Sequence, residues 1–175
     1  ETITIPSGGS AFVEFTLPDN GIYAIKTLDE TIGTRLDVQY YGGTGNCSDL
    51  GMQSSYNGFY AAIAGDKDSS RSLRIRDYNN TGEDVTITVI AEPVRKQTLT
   101  LNENGEITRQ VPMNNYEFQW FSITPNESGR YTINAFDTNA EDEDAYVEKY
   151  RVSHYYDSEE ENWYYDYYDI SAITY

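Results

Sequence analysis

The chain has one cysteine, Cys47, and one histidine, His154. A single cysteine excludes an intrachain disulfide and any cysteine-based metal cluster. A lone histidine in a run of tyrosines reads as a structural or surface residue rather than a general base. No apolar run approaches the roughly 20 residues a helix needs to cross a bilayer. Basic side chains are scarce, with 12 Lys and Arg against 29 Asp and Glu and a net charge of −17. Nucleic acid and anionic membranes require a basic surface that neutralises phosphate, so neither is an expected partner. Such a charge keeps a protein dispersed in solution. A nucleophile elbow, a phosphate-binding glycine loop and zinc-ligand spacing are all missing. Cys47 lies in a glycine-rich stretch with no basic neighbour in sequence to activate it. The expectation is a non-catalytic protein that requires no cofactor.

Aliphatic bulk is short as well. Leu, Ile, Val and Phe make up about a fifth of the chain, at the edge of what disordered segments carry. Seventeen tyrosines decide against disorder. Tyrosine has a large apolar body, favours strands, and needs only one partner or water for its hydroxyl. Glu1 leads straight into a strand pattern, as expected of a mature secreted chain or an excised segment. A secreted protein without disulfides fits a bacterial source better than a small animal ectodomain.

One pattern occurs twice. Glu14-Phe15-Thr16-Leu17-Pro18 leads through Asp19-Asn20-Gly21 into Ile22-Tyr23-Ala24-Ile25. Trp120-Phe121-Ser122-Ile123-Thr124-Pro125 leads through Asn126-Glu127-Ser128-Gly129 into Arg130-Tyr131-Thr132-Ile133. Each reads as a hairpin: an alternating strand, a reversal from Pro to Gly, and a second alternating strand. The flanks match too. Thr2–Ile5 corresponds to Thr98–Leu101, and Leu36–Tyr41 to Tyr150–Tyr156. A long period present only twice means tandem domains rather than a solenoid. The predicted architecture is all-β, two tandem antiparallel β-sandwich domains of jelly-roll or Ig-like form. The first covers residues 1–92 and the second 97–175, joined at Glu92–Lys96. After the shared glycine the second unit is shorter by roughly two strands, so it reads as incomplete at its C-terminal end. Ala145–Tyr156 and Trp163–Tyr175 are expected as strands, Glu106–Val111 as another, and Gly42–Gly58 as a long loop.

The run Trp120–Ile133 resembles the early hairpin of pre-peptidase C-terminal (PPC-like) β-sandwich domains of bacterial secreted and surface proteins. The resemblance implies a small sandwich with an accessory, non-catalytic role. It carries no functional residue over to this chain.

Two groups of residues invite a binding function. Trp163-Tyr164-Tyr165-Asp166-Tyr167-Tyr168-Asp169 puts aromatics on both faces of one strand, and only one face can enter a core. Tyr40, Tyr41, Tyr155 and Tyr156 add pairs on the matching strand of each unit. Flat rings interleaved with carboxylates and amides suit sugars, and the same chemistry suits protein interfaces. The candidate ligand-binding residues are therefore Tyr40, Tyr41, Tyr155, Tyr156, Trp163, Tyr165 and Tyr167. Asp137, Glu141, Asp142 and Asp144 cluster on an acidic stretch and form a candidate calcium site without EF-hand spacing. Asp66 and Asp68 are a weaker candidate. The expected function is an extracellular, secreted or surface-attached module that binds polysaccharide. The alternative is a structural or protein-binding repeat of a larger surface assembly.

Overall fold

The computed structural model describes residues 1–28, 32–55, 58–78, 82–112 and 119–124, together with the strand backbones of 150–157 and 162–169. The described residues form twelve strands and no helix. The chain divides into two compact units, Glu1–Val94 with Arg151–Tyr168, and Arg95–Tyr150 with Asp169–Tyr175.

The first unit is an antiparallel β-sandwich. Its strands are β1 (Thr2–Ile5), β2 (Ser10–Thr16), β3 (Gly21–Thr27), β4 (Leu36–Thr44), β5 (Cys47–Ser55), β6 (Gly58–Gly65), β7 (Ser70–Asp77) and β8 (Val85–Pro93). One sheet has the order β1-β8-β3-β6-β5 and the other β2-β7-β4. That alternation of successive strands between two sheets is jelly-roll topology, with β5 carried on the larger sheet. Period-2 alternation fixes which residues face inward. On β7, Leu73 and Ile75 are fully buried while Arg76 is exposed. The core between the sheets holds Ile5, Val13, Leu17, Ile25, Leu36, Ile63, Leu73, Ile75 and Ile87. Each such aliphatic side chain contributes about 1.5–3 kcal/mol by leaving water.

The two outer faces differ. β3 and β6 are buried on both sides, since Ile22, Ala24, Ala62 and Ala64 are as covered as their inward neighbours. The outer face of β2-β7-β4 is open.

The first copy of the repeated pattern is not a hairpin. β2 pairs with β7, and β3 pairs with β6 and β8. The Pro-to-Gly segment therefore carries the chain from one sheet to the other as an arch. Phe15 and Tyr23 close it from inside, their ring centroids 5.5 Å apart. Outside, the arch locks onto the β6–β7 turn. Leu17 N donates to Ser69 O at 2.8 Å, Asp68 N to Leu17 O at 2.9 Å and Lys67 N to Asn20 Oδ1 at 2.7 Å. Gly21 exits the turn at φ +154°, a value L side chains rarely adopt.

The expected loop Gly42–Gly58 is largely strand. β4 continues to Thr44, and β5 runs the full length of β6 with one bulge, between Asp49 and Gly51. The small residues there serve close approach. A Cβ at Gly43 would collide with the carbonyl oxygen of Ser70.

In the second unit, β9 (Lys96–Leu99) pairs in parallel with β10 (Trp120–Ile123). Their sequence counterparts β1 and β2 lie in different sheets and do not pair. Glu106–Val111, expected as a strand, is irregular. It follows a turn in which the Asn102 carboxamide oxygen accepts from the backbone N–H of Asn104 and Glu106, both at 2.9 Å. A side chain that satisfies local backbone donors competes with the sheet ladder. β11 (Tyr150–Asp157) and β12 (Asn162–Asp169), whose residues 151–168 group with Glu1–Val94 rather than with the second unit, form a two-stranded sheet. The second strand of the repeated pattern, Arg130–Ile133, lies outside the described residues.

Candidate ligand face on the three-stranded sheet

β7 is the middle strand, and its register organises the open face. Phe12 on β2 and Gln39 on β4 both sit opposite Arg74. Ser10 and Asp37 both sit opposite Arg76. The β4 ladder has a bulge between Tyr40 and Gly42, so Tyr41 is the inserted residue. A bulge bends its strand and re-aims a side chain. Tyr41 is 65% exposed and Phe12 is 54% exposed. They belong to opposite edge strands, yet their ring centroids are 5.0 Å apart at 63°, an edge-to-face pair. The rings meet across the middle strand.

Both ends of the face are polar. At one end Ser70 Oγ donates to Glu14 Oε1 at 3.0 Å and lies 2.9 Å from Thr44 Oγ1. At the other end the Arg35 guanidinium lies over the exposed Tyr78 ring, 5.1 Å from its centroid, and Tyr78 N donates to Arg35 O. Arg74 and Arg76 form no ion pair among the described residues. The Arg74 Nε is shielded from water and has no hydrogen-bond partner.

Tyr40 is not part of this face. Its ring turns inward, and its hydroxyl lies 2.8 Å from Gly51 O and 2.7 Å from Ala62 O on the opposite sheet. A phenol has one proton to donate, so the two carbonyls share it. Burial, reinforced by the charge of Asp49, pushes the Tyr40 phenol well above the usual tyrosine range. Nearby, Arg71 reaches between the sheets from β7. Its Nε is 2.6 Å from Asp49 Oδ1, and its Nη2 donates to Cys47 O at 2.5 Å. Burial raises the Cys47 thiol pKa, with Arg71 opposing that shift only in part. Burial likewise raises the Asp49 carboxyl despite its ion pair. Sequence adjacency had not placed a cation beside Cys47; the fold does, but burial outweighs it.

Tyr155 and Tyr156 fall on β11, and Trp163, Tyr165 and Tyr167 on β12. Their side chains lie outside the described residues, as do Asp137, Glu141, Asp142 and Asp144. Asp66 accepts from Asn46 Nδ2 at 3.0 Å through its carboxylate, and from Ser69 through its carbonyl. Asp68 takes φ +64° in the same turn. Among the described residues no three His, Cys, Asp or Glu side chains are grouped to hold a metal. The described residues form no helix long and apolar enough to cross a membrane. In the second unit a cleft of about 190 Å³ is lined by Gln97, Arg109, Gln110, Val111, Pro112 and Gln119. Its walls are amides, one guanidinium and two apolar side chains.

Sequence reasoning found Tyr41 and missed Phe12, Tyr78 and the arginines. Phe12 breaks the apolar alternation of β2, where Ala11, Val13 and Phe15 face inward. An apolar ring on the polar stripe was the available signal. No family model, curated protein or solved structure matches the chain.

Proposed function

We propose that this chain is a non-catalytic, extracellular bacterial module that binds polysaccharide through exposed aromatic rings on a sheet face. The pair Phe12–Tyr41 carries this reading. Two rings, each more than half exposed, meet on an open sheet beside the amide of Gln39 and the guanidinium of Arg74. Rings stack on the apolar faces of sugars, and amide and guanidinium groups bond hydroxyls. A ligand that covers about 50 Å² of each ring gains about 1.2 kcal/mol per ring at about 25 cal/mol/Å². The aromatics Tyr155, Tyr156, Trp163, Tyr165 and Tyr167 of β11 and β12 are proposed as a second contact region. The likeness to PPC-like domains, with residues 97–175 as a related second sandwich, supports an accessory role beside a larger secreted or surface protein.

Affinity electrophoresis over a panel of soluble polysaccharides, with pull-down on insoluble ones, tests the proposal. Tyr41→Ala and Phe12→Ala should each weaken binding roughly tenfold (about 1.4 kcal/mol per tenfold) without changing the melting temperature. Trp163→Ala with Tyr165→Ala tests the second region in the same way. Binding indifferent to Tyr41 and Phe12 would remove the site. Silence on every glycan would favour a protein-binding or structural repeat.

A further inference from the structure

The sequence average conceals a local reversal of charge. Arg35, Arg74 and Arg76 gather on the open face of the three-stranded sheet, three of the chain's twelve basic side chains. Arg74 and Arg76 lie two residues apart on β7, so they rise from the sheet roughly 7 Å apart along the strand. Arg35, held against Tyr78 just past the end of β7, continues the row. The acids on the face do not cancel it. Glu14 is the next outward residue along β2 from Phe12, opposite Ser72, but its carboxylate accepts from Ser70 and forms no ion pair with Arg74 among the described residues. Asp37 is opposite Arg76 but forms no ion pair with it among the described residues. Arg74 is flanked by the uncharged Phe12 and Gln39, and its Nε has no partner. A partly covered cation without a counterion is a site that favours an anion. At physiological ionic strength the rest of this acidic protein is screened beyond about 8 Å, so the groups on the face decide what it attracts.

We infer that the face selects a polyanionic polysaccharide, lying along β7 with its carboxylate or sulfate groups on Arg74, Arg76 and Arg35 and a sugar ring against Phe12 and Tyr41. The inference rests on the sugar-binding reading of the same face and names the class of ligand. A row of cations at repeating intervals suits a chain that carries charge repeatedly. The aromatic pair beside the row suits a ligand with ring faces.

Calorimetry on the full chain at about 150 mM salt tests this with polygalacturonate, its methyl ester, dextran sulfate, neutral dextran and poly-glutamate. Polygalacturonate or dextran sulfate should bind at least tenfold more tightly than its uncharged counterpart, and which of the two is tighter identifies the anion. Arg74→Gln and the exposed Arg76→Gln should each reduce that preference several-fold with the melting temperature unchanged. Arg74→Lys, which keeps the charge and loses the planar fork, should restore only part of it. Equal affinity for polygalacturonate and its methyl ester, with dextran sulfate no better than dextran, would overturn the inference and leave the sugar-binding reading standing. Poly-glutamate bound as tightly as the acidic glycans would replace sugar by an acidic polypeptide. No binding to any of these polymers would overturn both.

Discussion

The hydroxyl of Tyr40 on the three-stranded sheet lies 2.7 Å from the carbonyl oxygen of Ala62 on the five-stranded sheet. It also lies 2.8 Å from Gly51 O, beside the bulge in β5. One side chain thus ties the two layers where the edge strand departs from regular register. Tyr40→Phe keeps the ring and removes the donor, and should lower stability by about 1–2 kcal/mol. The pH dependence isolates the same group. Its folded pKa is raised, so its contribution is complete below the unfolded value of about 10 and is lost as pH rises through the folded value. Chemical denaturation between about pH 8 and 11 should show stability falling with pH. The fall that begins near pH 10 should be smaller in Tyr40→Phe.

Cys47 should behave as a protected thiol. Burial raises its pKa, so thiolate forms only above the ordinary range of about 8.5. Alkylation of the folded protein should have a pH–rate profile displaced upward from that of the urea-unfolded chain. Thiolate chemistry at neutral pH, equal to that of a small thiol, would contradict the burial described for the Cys47–Arg71–Asp49 cluster.

At the opposite end of β7, Thr34 Oγ1 donates to Asp77 Oδ1 at 2.5 Å, and both residues are at most 1% exposed. Thr34→Val is nearly isosteric and leaves a buried carboxyl without this donor. A cost of about 1–3 kcal/mol is expected, measured by denaturant titration. A Thr34→Ser variant should recover most of it.

Much of the first unit was legible because alternation of apolar residues marks strands directly. Val13 on β2, Leu36 and Val38 on β4, Leu73 and Ile75 on β7, and Ile87 and Val89 on β8 are each in the core as their spacing required, and Phe15 packs against it. Pairing was not legible. The Pro18–Gly21 reversal looks the same in a hairpin and in an arch, and what separates them is which distant strand β2 meets. β5 was hidden for a related reason. Its Ser, Asp, Gly and Gln residues show no apolar alternation, and pairing along the full length of β6 overrides their weak local preference. Of the adjacent tyrosines 40 and 41, alternation allowed only one to face out; Tyr40 continues the Leu36–Val38 stripe and belongs inside. The arginines of the open face were invisible in a net charge summed over the whole chain.

The account's central claim is that the open face of β2, β7 and β4 is where ligand binds. Amide chemical-shift mapping on isotope-labelled protein, titrated with the tightest-binding polysaccharide, tests it most directly. The claim predicts that within Glu1–Val94 the shifts concentrate at Phe12, Gln39, Tyr41, Arg74 and Arg76, and leave the β1-β8-β3 amides unmoved. Shifts confined to the five-stranded sheet or to Arg95–Tyr150 would contradict it.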